Sequence, residues 1–227
     1  MPYAPRTDPP LVVGLNGSPR KSWNTASLVA KALEGAQSVG AQTELIHLYD
    51  LSYKGCASCF ACKKKKTYLN GKCALKDDLS PVLERLETAQ GVIMGSPIYL
   101  GDVTAATRAF WERYIFINLA YDGEKPSVLS RGPFAGVIYA MNIPADLIET
   151  FEYDALLRLH KGFLARLNGP GVETLLACDT LQFSDYSQYH APMFSEEKKK
   201  KVRETDFPLA LREAFAMGAR FGARSEA

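Results

Sequence analysis

The sequence predicts an α/β protein built on a parallel sheet with helices on both faces, and three observations carry that reading. Short apolar runs recur at Leu11–Leu15, Gly91–Met94, Pro133–Ala140 and Val172–Ala177, each brief and β-branched enough to be a buried strand. Helical patterns separate them, and strands alternating with helices imply a parallel sheet. Finally, the first run, LVVGL, opens into NGSPRKSWNT before a helix. Strand, small polar loop and helix start form an anion site, because free N–H groups and the positive end of the helix dipole face it.

Taken in order, Met1–Pro10 holds four prolines and reads as a loose leader. Asn24 to Ser38 follows the first strand as a helix, ended by Gly40. Thr43–Leu48 alternates as a half-buried strand with His47 on its polar side. An irregular cysteine loop, 53–76, precedes a helix from Asp78 to Ala89, with Pro81 tolerated in its first turn. The strand from Gly91 is expected to break at Pro97, and Asp102 or Thr104 to cap the next helix. Pro133–Ala140 is a fourth strand, Ala145–Leu167 a long helix, Val172–Ala177 a fifth strand and Pro208–Arg220 a last helix. His160 and Cys178 read as packed structural residues. Between the last two elements, the segment 179–205 lacks a period but carries Phe183, Tyr186, Tyr189 and Phe194. It is read as an interface arm, and Lys198–Lys201 within it as a solvated run.

At 227 residues and 47% hydrophobic, the chain can bury one large core, so a single domain spanning 1–227 is expected. A formal charge of +2 argues against a general nucleic-acid binder. Neither a membrane-length apolar run nor a signal peptide is present, which places the protein in the cytoplasm with no membrane partner. Cytosolic thiols stay reduced, so the five cysteines call for a metal or redox explanation.

The first loop has neither the nucleoside triphosphate pattern G-x-x-x-x-G-K-[ST] nor the dinucleotide pattern G-x-G-x-x-G. Hydroxyls at Ser18, Ser22 and Thr25, the Asn24 amide and the Arg20 and Lys21 cations suit a terminal monophosphate instead. Asn24 or Thr25 as a plain helix cap is the competing reading. Five parallel strands with such a loop after the first match the flavodoxin-like three-layer sandwich, order 2-1-3-4-5, whose ligands sit beyond the carboxyl ends of the strands. A second loop there, Ser96–Gly101, joins a rigid turn, an aromatic with a polar tip and a glycine, the mixture a flat heteroaromatic ring needs. Together the two loops make FMN the best candidate.

GSPRKSWNT and SPIYLGDVTAATRAFWER resemble the two signature segments of the NADPH-dependent FMN reductase family. CASCFACKKKKTYLNGKCALKDDL resembles the iron–sulfur flavoprotein branch of that family, as do DTLQFSDYSQY and the terminal helix with Gly218. The resemblance covers nearly the whole chain. It implies non-covalent FMN, with phosphate contacts at Ser18, Arg20, Asn24 and Thr25 and ring contacts at Pro97, Ile98, Tyr99, Leu100 and Gly101; Asn142 is a further candidate for the ring edge. It also implies a homodimer or a tetramer.

Cys56-x2-Cys59-x2-Cys62 followed by Cys73 is closer to [4Fe–4S] ligation than to the two separated pairs of structural zinc. The departure from the branch's compact form is the gap Lys63–Lys72, ten residues long. Cluster and no cluster both stay open. Two functions follow. One is an oxidoreductase passing electrons from NAD(P)H through FMN to a quinone, a flavin or another acceptor. The other is an electron-transfer module moving electrons from ferredoxin through the cluster to FMN, with Lys63–Lys66 either a docking patch for that acidic carrier or a solvated loop. No catalytic side chain is named, because the cofactor carries the chemistry.

Overall fold

The computed structural model describes residues 9–65, 72–121, 127–129, 133–169 and 171–223. The expected loose leader up to Asp8, and Lys66 of the lysine run, lie outside the described residues. Five parallel strands form the sheet: β1 (Leu11–Asn16), β2 (Gln42–His47), β3 (Gly91–Tyr99), β5 (Phe134–Ala140) and β6 (Glu173–Ala177). Their order is β2-β1-β3-β5-β6, and a two-residue strand β4 (Asp102–Val103) pairs antiparallel with the end of β3. Leaving β4 aside, this is the expected 2-1-3-4-5 arrangement; β4 is a sixth strand that the sequence did not reveal.

The alternation of side chains across each strand divides the interior into two layers. Leu11, Val13 and Leu15 of β1, Val92 and Met94 of β3, and Val137 and Tyr139 of β5 pack with α2 (Leu79–Glu87), α3 (Ala105–Asn118) and α4 (Tyr153–Asn168). Val12, Ile93 and Ile138 face the other way, onto α1 (Asn24–Ser38) and α5 (Glu196–Ala223). Helices α1 and α5 touch backbone to backbone: a Cβ at Gly218 would lie 1.6 Å from Ala32 O, and one at Gly35 would lie 1.9 Å from Phe215 O.

Three boundaries depart from expectation. Strand β3 does not break at Pro97, since Pro97 still pairs with Ala140. A proline fits extended backbone and forfeits only one donor. Beyond it, Ile98 and Tyr99 find partners in Val103 and Asp102. The helix expected from Ala145 is a 3-10 turn, Ala145–Leu147, then a break at Glu152 in the left-handed region (φ 59°) before α4 begins at Tyr153. The last helix starts at Glu196, twelve residues before Pro208. Ser195 caps it, its Oγ accepting from Lys198 N at 3.2 Å. Residues 196–207 are mostly strong helix formers, Glu, Lys and Arg, but Lys199 and Phe207 alone among them are buried, so no apolar period marked the helix. Among the described residues, no helix is long and apolar enough to cross a membrane.

Candidate functional site

The carboxyl ends of β1, β3 and β5 are adjacent in the sheet, which puts their loops side by side. The loop after β1 is tied down from below. Asn16, fully buried, accepts from Ser18 N at 3.1 Å, and its amide reaches Ser18 O at 3.2 Å and His47 Nδ1 at 2.9 Å. Gly17 N donates to Gly95 O at 2.8 Å, and Thr104 Oγ1 donates to Gly17 O at 2.7 Å. Gly17 must be glycine: a Cβ would stand 1.9 Å from Thr107 Oγ1.

Helix α1 then begins without a side-chain cap. Ser27 is the first residue to close the helical ladder, onto Trp23 O, so the earlier amides point out of the helix end. Asn24 and Thr25 are therefore not caps. The Asn24 amide donates to Leu181 O at 2.9 Å and accepts from Arg203 Nη1 at 3.0 Å. Trp23 Nε1 joins it on Leu181 O at 3.1 Å, and Arg20 Nη1 donates to Gln182 O at 2.6 Å. Ser18 and Thr25 are buried at the same corner, and Ser18 Oγ accepts from Arg20 N at 3.1 Å.

The loop after β3 is a hairpin. Leu100 (φ 49°) and Gly101 (φ 89°) form its turn, and positive φ at both central residues matches the tight turn that suits strand twist. Pro97 and Ile98 are half-buried, Tyr99, Leu100 and Gly101 exposed. Ser96 holds the hairpin base, donating to Pro97 O at 2.8 Å and accepting from Thr104 N at 3.0 Å. Thr104 caps α3 by accepting from Thr107 N at 3.3 Å. Tyr99 is held above its ordinary pKa by partial burial, and the nearby Arg20 cation works against that rise. The loops after β1 and β3 thus lie side by side at the ends of neighbouring strands.

Asn142, after β5, is half-buried and already engaged. Lys199 Nζ donates to its backbone O at 2.9 Å and to its Oδ1 at 2.5 Å, and pairs with Asp179. Lys199 is 3% exposed, which corrects the solvated reading of Lys198–Lys201 at that position. It anchors α5 to the loop beside the site. Asn16, Ser96, Thr104 and Lys199 support the three loops and went unnoticed as site residues in the sequence, except that Thr104 stood out as a cap.

The cysteine loop lies against α3, and both of its ends are clasped by one side chain. Arg113, 1% exposed, pairs with Asp77 at 2.5 Å and reaches Lys54 O at 3.4 Å and Leu75 O at 3.5 Å. Cys56 N donates to Glu112 Oε2 at 3.2 Å, and Tyr53 OH to Ala106 O at 2.6 Å. Lys63 is no free lysine. It donates to Ile117 O at 3.3 Å and Leu119 O at 2.5 Å, satisfying the last carbonyls of α3, and lies 5.0 Å over the Phe116 ring. Cys62 is buried, Cys59 exposed, and Cys56 and Cys73 lie between. Burial pushes the Cys62 thiol up, helped by Cys73 and Cys56 nearby and opposed by Lys63. Ser58 and Phe60 sit at φ 51° and 53°. Among the described residues no three histidines, cysteines or carboxylates are gathered as a ligand set for a single metal ion. His160 is buried, as expected of a packed residue, and Cys178 partly so; burial raises the Cys178 thiol to about 11.

A model of the family described as NADPH-dependent FMN reductase matches residues 10–143, which hold both loops. The chain belongs to that family. Among its relatives, an iron-sulfur flavoprotein of Methanocaldococcus jannaschii is 38% identical over 102 residues, 45% of this chain and 50% of that protein. One from Archaeoglobus fulgidus is 36% identical over 102 residues, 45% of this chain and 47% of that protein. The chain thus spans about half the length of these relatives. Among solved structures, an NAD(P)H:quinone oxidoreductase from Methanothermobacter marburgensis superposes with a TM-score of 0.65 at 16% identity, over 96% of this chain and all of that one. An azoreductase from Bacillus anthracis gives 0.64 at 14% identity, over 93% and 99%. At such identities the family fold is what these structures share with the chain.

Proposed function

We propose that the protein is an FMN-dependent oxidoreductase that takes electrons from NAD(P)H and delivers them to a quinone, a free flavin or a similar acceptor. The observation that carries this is the uncapped start of α1 lying next to the β3–β4 hairpin. An exposed helix N-terminus with hydroxyl donors suits a phosphate, and a rigid turn of half-buried and exposed apolar groups suits a flat ring. The FMN phosphate would take the first-turn amides with Ser18 and Thr25. Arg20 and Asn24 would be shared between it and the carbonyls of Leu181 and Gln182. Pro97 to Gly101 would hold the ring, and Asn142, fixed by Lys199, would meet its edge. Bound there, FMN would supply two-electron chemistry, accepting a hydride and passing electrons on. The protein's part is position: a stiff floor of backbone bonds under the phosphate and a fixed hairpin beside the ring. With no dinucleotide fingerprint in the chain, donor and acceptor would use one open face in turn, and ping-pong kinetics follow. The active protein would be a homodimer or a tetramer.

A second reading is an electron-transfer module fed by ferredoxin through a [4Fe–4S] cluster on Cys56, Cys59, Cys62 and Cys73. Two facts support it: the cysteine spacing, and the names of the relatives. The cysteine loop would carry the cluster, and the left-handed Ser58 and Phe60 mark backbone under constraint there. One experiment separates the readings. Protein purified without oxygen is assayed for FMN, iron and acid-labile sulfide, then mixed with NADPH, NADH or reduced ferredoxin while flavin absorbance is followed. Flavin with little iron, bleached by a nicotinamide, is the expected result. Matching iron and sulfide with bleaching by ferredoxin selects the module. Failure to retain added FMN through desalting would overturn both.

A further inference from the structure

A cavity of about 490 Å³ opens between the cysteine loop, α3 and α4, and none of the residues assigned to FMN lines it. Its size suits one small molecule. Phe60 and Phe116, edge to face with centroids 5.7 Å apart, form one wall, and Phe163 another. Phe60 is 49% and Phe163 40% exposed. The rim is cationic. Arg166 makes no ion pair among the described residues, and Arg108 stands 4.0 Å from Asp102 and 3.8 Å from Glu112, beyond hydrogen-bond reach. The single carboxylate on the lining, Glu112, is partly spent on Cys56 N. The floor is His160, 2% exposed, whose Nδ1 meets Tyr139 OH at 3.2 Å. Its Nε2 is 3.2 Å from Asp102 Oδ1 but off the line of a hydrogen bond.

We infer that this cavity is a second ligand site, and that it takes a flat aromatic carboxylate. Aromatic walls select a planar body through stacking and edge contacts. Arg108 already faces Asp102 and Glu112, so the guanidinium of Arg166 is the group that selects an anion, and a carboxylate meets its planar fork with paired hydrogen bonds. The site has a route to the other one. Arg108 and His160 both face Asp102, and Asp102 directly follows Gly101 in the hairpin. A ligand that draws Arg108 away from Asp102 changes the charge at the base of that hairpin.

The inference does not depend on FMN binding, so the test uses the full chain with and without saturating FMN. The probe is 2-naphthoate in a calorimetric titration, with 2-naphthalenemethanol as the uncharged partner of the same shape. One 2-naphthoate per chain is expected with or without FMN, with a Kd on the order of 0.1 mM for a ligand of this size. The alcohol and the Arg166→Gln variant should each bind about tenfold more weakly, the loss of one charged hydrogen-bonding partner. Arg212→Gln, beside a separate groove lined by Lys31, Leu211 and Phe215, should bind as the parent does. Arg166 is exposed and without an ion pair among the described residues, so its variant folds. Equal binding of acid and alcohol would overturn the inference, as would loss of binding on adding FMN. So would no binding from a chain that sediments as a dimer shielding this face.

Discussion

The loop after β1 and the cysteine loop after β2 are held in opposite ways. The loop after β1 is fixed by its own backbone and by short side chains: Gly17 N on Gly95 O, Asn16 on Ser18, Thr104 on Gly17 O. Among its described residues, the cysteine loop after β2 has little backbone ladder of its own beyond a 3-10 turn at Ala61–Lys63. It is clasped by long side chains from α3 and by its own lysine: Arg113 at both ends, Glu112 at Cys56, Lys63 onto the helix end. The first design freezes a shape before any ligand arrives, which preorganised binding requires. The second leaves the shape to a few removable contacts. A loop whose shape depends on what its cysteines bind would be built the second way.

The largest effect should come from the clasp. Arg113→Met removes the partner of Asp77 and the donors to Lys54 O and Leu75 O. Breaking a buried pair costs roughly 3–5 kcal/mol, and the low end, about 3 kcal/mol, is expected because Asp77 reaches solvent. Urea denaturation reads the loss. If the midpoint hardly moves, the clasp is not what holds this loop. In the other loop, Gly17→Ala drives a Cβ into Thr107 Oγ1 and should cost about 1–3 kcal/mol, as overpacking does. The comparison predicts unequal consequences for binding: Gly17→Ala should abolish FMN retention, while Arg113→Met, in whatever fraction stays folded, should keep it. Equal loss in both would mean that the two regions act as one.

Cysteine reactivity sharpens the same contrast without mutation. Alkylation proceeds through the thiolate, and Cys62 is buried with its thiol pushed above the ordinary range. Its thiolate fraction at neutral pH is therefore small and must grow as pH rises toward 9. Iodoacetamide labelling read by peptide mass spectrometry should find Cys59, which is exposed, modified first at pH 7, by about tenfold or more. The Cys62 rate should still be climbing at pH 9. In the Arg113→Met variant the two rates should converge. Fast labelling of Cys62 at pH 7 in the parent protein would mean the loop already opens in solution.

What the sequence revealed, and what it hid, follows the same division. The strands, α1 and the two family segments were legible because backbone-dominated elements leave a period and a loop composition. Their exact ends were hidden where long-range contacts decide them. Pro97 stays in a strand because β5 and β4 flank it. Residues 196–207 form helix although only Lys199 and Phe207 face inward there. Lys199 looked like one of four solvated lysines, since nothing local distinguishes it. Its partners Asn142 and Asp179 are 57 and 20 residues away in the chain. Arg113 was hidden for the same reason. A resemblance carried the candidate ring and phosphate residues, and packing then showed what supports them.

The smallest effect discriminates best, because it sets two lysines against each other that sequence alone cannot rank. Lys21, in the first loop, pairs with Asp50 at 2.6 Å, with both side chains about half exposed. Such a pair contributes roughly 0–1 kcal/mol, so Lys21→Ala should shift the urea midpoint by less than about 0.5 kcal/mol and fade further in salt. Lys63, in the cysteine loop, caps two carbonyls at the end of α3 and covers the Phe116 ring. A cation at a helix C-terminus stabilises by about 0.3–1 kcal/mol, more when partly buried, and a ring contact adds about 0.5 kcal/mol. Lys63→Met should therefore cost about 1 kcal/mol, and that cost should survive added salt, since part of it is hydrogen bonding and packing. Were the two lysines to cost the same and respond alike to salt, the cysteine loop would owe nothing to its lysine, and Arg113 and Glu112 would have to hold it alone.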